Sequence, residues 1–261
     1  MDQSIKVKEF WDNQAEQHGS ECIATMPDLY LKQIEIKNIK EFLFNGAKIL
    51  DIGCGNGYST FLYAEFFNVN ITGIDYSSKM IEVANNELKQ KSFQNSSKVQ
   101  FGIGDIRQLD IDDNSYDIVI TDRCIQNLCD RNDQEKAIKE VRRILKPGGI
   151  FLMCENTEQG LNNLNKVRDC VGLEKIKPRW HNLFIDENHL KEVTANIFKL
   201  NSEIRFSSFY YLASRVINGK ISQMHNETPQ PECDINYVAS LCSSFGDFGD
   251  YGLLKLFVFE K

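Results

Sequence analysis

The chain has 261 residues, of which 30 are basic and 37 acidic, giving a net charge of -7 at pH 7. That balance argues against a protein held on nucleic acid by a broad positive field. No apolar run reaches the roughly 20 residues of a membrane span, and the opening MDQSIKVKEFW has no apolar signal region. The eight cysteines (22, 54, 124, 129, 154, 170, 233 and 242) lack CxxC spacing, so reduced thiols are expected. A cytoplasmic globular protein with no nucleic-acid or membrane partner is the expectation.

In chain order, residues 28–45 place Leu31, Ile34, Ile36, Ile39, Phe42 and Leu43 at mostly helical spacing, and Asn45-Gly46 ends that helix. AKILDIG reads as a short buried strand, followed by a glycine cluster and the helical STFLYAEFF. NITGID is a second strand, SKMIEVANNELKQK a second helix and KVQFGIGD a third strand. YDIVIT is a fourth strand, and DQEKAIKEVRRIL an amphipathic helix stopped by Lys146-Pro147-Gly148-Gly149, after which GIFLMCE forms a fifth strand. Strands alternating with helices of this length predict an α/β fold with a doubly wound, parallel sheet.

After Glu155 the rhythm changes. Two helices, 160–173 and 186–198, flank KIKPRWHNLF. EIRFSSFYYL reads as a strand, residues 217–250 as irregular, and YGLLKLFVFEK as a strand closing the sheet. A long structureless stretch in a compact domain is more often a lid or binding loop than a passive connection. Substrate recognition is therefore expected in these insertions. The expected organisation is one domain, with a helical cap at 1–45, a core at 46–155, insertions at 156–250 and a final strand at 251–261.

The loop Asp51-Ile52-Gly53-Cys54-Gly55-Asn56-Gly57 joins a strand to a helix. Glycines there allow a sharp turn and let a ligand approach the main chain. A dinucleotide fingerprint, GxGxxG, would need glycine at position 58, where Tyr58 stands. The spacing is GxGxG instead. Asp75 follows Gly55 at the end of the second strand, where a carboxylate can accept both ribose hydroxyls of a nucleoside. Such an acid would also suit NAD.

This spacing resembles the first motif of class I S-adenosylmethionine-dependent methyltransferases. GIGDIRQLD, YDIVITDRCIQNL and LKPGG resemble that family's later motifs in order. The resemblance implies a Rossmann-like, doubly wound seven-stranded sheet with an antiparallel last strand. It implies S-adenosyl-L-methionine as cofactor and S-adenosyl-L-homocysteine as product. It assigns Gly53, Gly55 and Gly57 to the cofactor cradle, Asp75 to the ribose, Tyr76 to the adenine face, and Asp105 with Ile106 to the adenine edge. Asp51 would meet the amino-acid end, and Thr121 would offer a backbone carbonyl to the ammonium. FWDNQAEQHGSE resembles the family's cap helix, with His18 where relatives place tyrosine. NTEQGLNNLNKVRDCVGL, PRWHNLFIDENHL and FSSFYYLASRVI resemble a branch found among bacterial surface-polysaccharide genes.

Methyl transfer from a sulfonium needs chiefly in-line positioning of a nucleophile, and an oxygen nucleophile of high pKa also needs a base. Arg123 would hold an anionic acceptor, or else form an ion pair with Asp122 or Glu155. Gln126 and Asn127 stand where many relatives carry His-His. His181 is then the most attractive base, because a pKa near 6.5 suits proton abstraction near neutrality. Arg179 and Trp180 complete the acceptor pocket. Asp122, Glu155 and Asn156 match a magnesium-ligand pattern only in part, and no metal is expected. The expected function is O-methylation of a small polar acceptor, a sugar, phosphate or phosphoramidate-type precursor of surface polysaccharide. N- or C-methylation of another metabolite, and a non-catalytic cofactor-binding regulator, stay open.

Overall fold

The hydrophobic runs become the strands of one seven-stranded sheet: β1 (Lys48–Ile52), β2 (Asn70–Asp75), β3 (Lys98–Ile103), β4 (Tyr116–Asp122), β5 (Leu145–Asn156), β6 (Lys199–Ile204) and β7 (Leu254–Glu260). The computed structural model describes residues 3–243 and 249–261. The strand order is β3-β2-β1-β4-β5-β7-β6. Strands β1 to β5 are parallel, and β7 lies antiparallel between β5 and β6. This is the Rossmann-like arrangement, with antiparallel last strand, that the sequence motifs imply. The helices are α1 (Gln3–His18), α2 (Leu29–Lys40), α3 (Tyr58–Phe66), α4 (Ser78–Leu88), α5 (Arg131–Ile144), α6 (Glu158–Cys170), α7 (Glu187–Thr194), α8 (Ser208–Tyr211), α9 (Asn218–Met224) and α10 (Asp234–Cys242). A π-helical turn, Leu212–Ile217, joins α8 to α9.

Alternation along the central strands divides the core between two faces. Ile49, Ile118 and Leu152 pack with Leu31, Ile39 and Tyr63 of α2 and α3. Leu50, Val119 and Phe151 pack with Ala137, Val141 and Ile144 of α5. Side-chain caps start the helices: Asp28 accepts from Leu31 N, Ser77 from Met80 N and Thr157 from Gly160 N.

The second half departs from the expected pattern. In EIRFSSFYYL only the start is strand, and residues from Ser208 onward are helical. Tertiary contact decides this: Ser207 Oγ donates to Leu254 O at 2.6 Å, and Gly252 passes so close that a Cβ there would lie 2.1 Å from Ser207 Oγ. The stretch 217–250 is not structureless, since it holds α9 and α10; residues 244–248 of it lie outside those described. Strand β5 begins at Leu145, before the Pro-Gly-Gly that was expected only to stop the helix, with a register shift between Tyr116 and Ile118 of β4. Lys255 of β7 is wholly buried and meets Glu187 and Asp250 at 2.6 Å and Glu203 at 3.7 Å. All eight cysteines are free. No helix among the described residues is long and apolar enough to cross a membrane.

Candidate active site

Strand order reverses beside β1, because β2 leads away on one side and β4 on the other. Such a switch point opens a crevice at the carboxyl ends of the strands. A cavity of about 620 Å³ lies there, bounded by the loop after β1, the ends of β2 to β5, helix α1 and the 179–182 segment. Its size is that of a small-molecule site.

The loop after β1 turns on Gly53 (φ 73°), Gly55 (φ 56°) and Gly57 (φ 80°). Gly53 and Gly55 line the cavity, whereas Gly57 does not. A Cβ on Gly57 would meet Phe101 at 2.7 Å, and one on Gly55 would meet Thr25 Cγ2 at 2.6 Å. Gly57 therefore serves the turn and its packing rather than the cavity wall. Asp51 and Thr121 also lie outside the wall. Asp51 is buried and accepts from Thr60 Oγ1 at 2.6 Å; burial pushes its carboxyl up to about 6 against that bond.

Asp75 lines the cavity, with Oδ2 accepting Gly55 N at 2.9 Å and Oδ1 accepting Ser77 N at 2.8 Å. Burial raises its pKa against those two amides. The exposed Tyr76 and buried Ile106 stand beside it in the wall. Asp105 is there too, but it is engaged. Arg107 donates Nε to both its oxygens and Nη2 to Oδ2 at 2.6 Å, and Arg107 N donates to Oδ1 at 2.9 Å. Although burial opposes ionisation, these bonds hold the Asp105 carboxyl below its usual range. Arg107 also pairs with Asp133 at 3.0 Å and has its guanidinium 5.9 Å from the Tyr76 ring centroid. Arg107, two residues after Asp105, carries no motif signal for this role.

Deeper in, α2 and the end of β4 form a buried ionic cluster. Lys32 Nζ lies 2.5 Å from Asp122 and 3.3 Å from Glu35, and Arg123 Nη2 lies 3.3 Å from Glu35. Burial pushes the Glu35 carboxyl up, whereas Lys32 and Arg123 keep Asp122 low despite its burial. Arg123 has φ 55°, an uncommon region for a side-chain-bearing residue. It lines the cavity, but its charge is compensated by Glu35 and Asp122, not by Glu155. Of the two expectations for Arg123, the ion pair with Asp122 is the one present, with Glu35 added to it. Helix α2 supplied the missing partner, and nothing local in the sequence links position 35 to position 123. Next to this cluster Asp28 accepts from Tyr210 Oη and Arg215 Nη2, both at 2.6 Å.

The three residues of the magnesium pattern are separately engaged. Glu155 accepts the backbone amides of Cys124, Ile125 and Gln126, Asp122 binds Lys32, and Asn156 binds Gln126.

The 179–182 segment crosses the ends of β4 and β5. Leu183 N donates to Gln126 O at 2.7 Å and Ile185 N to Asn156 O at 2.9 Å. Arg179 and His181 line the cavity, but Trp180 does not. Trp180 is 55% exposed and stands edge-on to Phe10 and His181 on the outer side, which corrects its expected place against the acceptor. The His181 ring is 2% exposed and packs on Phe10 and Trp11. Burial, with Arg179 nearby, lowers its pKa to about 4, so the imidazole is neutral and a weaker base than its type implies. Helix α1 closes this side: Ser77 Oγ donates to Asp12 Oδ1 at 2.5 Å, and Trp11 lines the cavity. His18 does not reach it.

Residues 43–191 match a family described as a methyltransferase domain. The chain is 30% identical over 185 residues to phosphoethanolamine N-methyltransferase 2 of Caenorhabditis elegans, covering 60% of this chain and 41% of that protein. It is 29% identical over 170 residues to the uncharacterized methyltransferase YcgJ of Bacillus subtilis (strain 168), covering 62% and 63%. The chain thus spans less than two thirds of either relative. Among solved structures, a SAM-dependent methyltransferase of Methanosarcina mazei superposes with a TM-score of 0.55 at 18% identity, covering 86% of this chain and 96% of that one. The [4+2]-cyclase SpnF superposes with a TM-score of 0.58 at 20% identity, covering 88% and 80%. At such identities these likenesses speak for the fold.

Proposed function

Because the chain belongs to the methyltransferase-domain family, we propose that it transfers a methyl group from S-adenosylmethionine to a small polar acceptor enclosed in the 620 Å³ cavity. The cofactor is S-adenosylmethionine. The residues fit it on one observation above all: the Asp75 carboxylate is aimed by Gly55 N–H and Ser77 N–H in the cavity wall, beside the left-handed turn of Gly53 and Gly55. Each Asp75 oxygen retains acceptor capacity for a ribose hydroxyl. Tyr76 flanks the adenine, Ile106 offers its backbone amide, and Arg107 fixes Asp105 rather than leaving it free. Asp51, Gly57 and Thr121 shape the loop and strand end behind the cavity.

When bound, S-adenosylmethionine supplies a methyl group already activated by its positive sulfur. The chain's own task is then to seat the acceptor in line and to shield it from water. His181, neutral at the cavity wall, can orient an acceptor hydroxyl by accepting its hydrogen bond, whereas a pKa near 4 makes it a poor proton acceptor. Arg123 orients the inner wall through Glu35 and Asp122. Arg179 stands at the mouth. The finer reading is O-methylation of a sugar, phosphate or phosphoramidate-type precursor of bacterial surface polysaccharide. It rests on the resemblance of the insertion segments to that branch.

Calorimetric titration with S-adenosylhomocysteine tests the cofactor site. Asp75→Ala removes two bonds to a charged group, each worth about 1.5–3 kcal/mol, so affinity should fall at least about a hundredfold. Unchanged affinity in a folded variant, or thermal protection by NAD and none by S-adenosylhomocysteine, would overturn the assignment.

A further inference from the structure

Strands β2 and β4 flank β1 on opposite sides, so the cavity has two ends. Asp75 and Tyr76 mark the end beside β2, whereas Arg123, Tyr211 and Arg215 stand at the end beside β4 and α2. Tyr211 precedes the π-helical turn Leu212–Ile217, and Arg215 lies within it. Turns of this kind are rare and occur frequently at functional sites. This one holds the Arg215 guanidinium 5.7 Å from the centroid of the Tyr211 ring. Tyr211 lines this cavity and not the adjoining one of about 530 Å³, whose wall Arg215 shares with Arg168.

Arg215 is anchored, yet most of its donors are uncommitted. Nη2 donates to Asp28 Oδ2 at 2.6 Å, and Asp28 is itself held by Tyr210 Oη and Leu31 N. Among the described residues nothing accepts from Nε or Nη1. Neither is one of the buried atoms that lack a partner, and the side chain is 29% exposed. Both nitrogens are therefore within reach of a ligand.

The local charge is positive. Arg168 Nη1 donates to the Arg215 carbonyl and Nε to the Glu174 carbonyl, and among the described residues Arg168 pairs with no carboxylate. Burial and the Arg215 charge both lower the Arg168 pKa, as like charges at close quarters must. Two guanidinium groups thus share one buried carboxylate, Asp28. The neighbouring cluster balances two cations, Lys32 and Arg123, against Glu35 and Asp122, and burial pushes Glu35 toward its neutral form. Glu174 and Glu227, the acids on the outer side, are exposed and screened by water. Elsewhere in the wall Lys8 pairs with Asp12, and Arg107 with Asp105 and Asp133, while Arg179 is exposed at the mouth.

We infer that the methyl acceptor carries an oxyanion, a phosphate-type or carboxylate group, which Arg215 binds at the end of the cavity away from Asp75. The Tyr211 ring flanks that group, and the Arg168 charge stands behind it. Charge-assisted bonds from a guanidinium already fixed by Asp28 lose little freedom on binding. The inference rests on the methyl-transfer reading, because the acceptor must share the cavity with the cofactor. It makes Arg215 a specificity-determining residue.

The test uses the full chain saturated with S-adenosylhomocysteine, whose own titration reports separately on the parent reading. Glucose, glucose 6-phosphate, glycerol 3-phosphate and glucuronate are then titrated as probes by calorimetry. At least one anionic probe should bind more tightly than glucose. Preference for the phosphates assigns a phosphate-type group, and preference for glucuronate a carboxylate. Arg215→Gln keeps a donor for Asp28 and should weaken the preferred probe about ten- to hundredfold, the range of a bond to a charged group. Glucose and S-adenosylhomocysteine should bind as before. Arg168→Gln should weaken the same probe by a smaller factor, and it gives an independent reading if Arg215→Gln does not fold. The inference is overturned if glucose binds as tightly as every anionic probe, if no anionic probe binds, or if Arg215→Gln keeps wild-type probe affinity. A larger loss in Arg168→Gln than in Arg215→Gln would also overturn it, by moving the anion to the adjoining cavity. If S-adenosylhomocysteine itself fails to bind, the parent reading falls instead.

Discussion

Acidification should destabilise this protein through His181, and the size of the effect can be worked out. The ring is almost wholly buried among Phe10, Trp11 and Trp180, and its pKa is lowered from 6.5 to about 4. The unfolded chain therefore binds the proton more readily than the folded one, and stability falls as the pH drops from 6.5 toward 4. With those two values the native state loses about 2 kcal/mol at pH 5 and only about 0.2 kcal/mol at pH 7. Asp51, Glu35 and Glu155, whose carboxyls are raised by burial, act in the opposite sense. The informative quantity is therefore a difference of differences. Urea unfolding of wild type and His181→Gln at pH 7 and pH 5 isolates it, because the packing lost in the variant is common to both pH values. Wild type should lose about 2 kcal/mol more than the variant over that interval. Parallel losses would show that His181 titrates as if exposed, and its assignment as a neutral group in the cavity wall would fail.

Two other variants probe features that lie behind the site. Gly55→Val should lower the melting temperature with no cofactor present, since the residue has φ 56° and a Cβ would lie 2.6 Å from Thr25 Cγ2; the left-handed backbone alone costs about 1–2 kcal/mol. A normal melting temperature with cofactor binding lost would instead return that glycine to a purely ligand-facing role. Lys255→Ala leaves Glu187, Glu203 and Asp250 without their buried cation, and should cost about 3–5 kcal/mol in denaturant unfolding. A loss below 1 kcal/mol would mean that those carboxylates find water or protons at no expense.

The cavity-lining part of the cofactor loop was legible because its signals are local, although Asp51, Gly57 and Thr121 stand behind the wall. The glycine run, the acids at the ends of β2 and β3, and the strand–helix alternation each lie within a short window, so their geometry follows from chain continuity. The acceptor half was not, because its contacts join distant positions. Arg123 was expected either to hold an anionic acceptor or to pair with Asp122 or Glu155, and its partner Glu35 of α2, at 3.3 Å, was not foreseen. Asp28 and Arg215 pair across the whole domain. His181 looked like a base of ordinary strength until its burial under α1 was seen. Trp180, its neighbour, looked equally suited to the pocket, but it packs edge-on against the His181 ring and stays exposed outside the cavity. The strand-like FSSFYYL became helical for the same reason: a contact with Gly252 overrode its β propensity.

One feature of the sheet bears on how such a protein can change its substrate. Asn156 at the end of β5 is paired in register with Leu254 at the start of β7. Among the described residues between them, the crossing segment with His181 and the π-helical turn lie off the sheet, and strand β6 pairs along the outer edge of β7, so the excursion starts and ends at neighbouring points of one seam. Closing a loop grows costly only slowly with its length, so this excursion can be lengthened, shortened or replaced while its two anchors stay 
zipped. Cofactor capture, which is built on the other side of that seam, need not be rebuilt when the excursion changes. The sheet thus behaves like a socket with an interchangeable fitting, and grafting residues 157–253 between related chains is the experiment that this geometry invites.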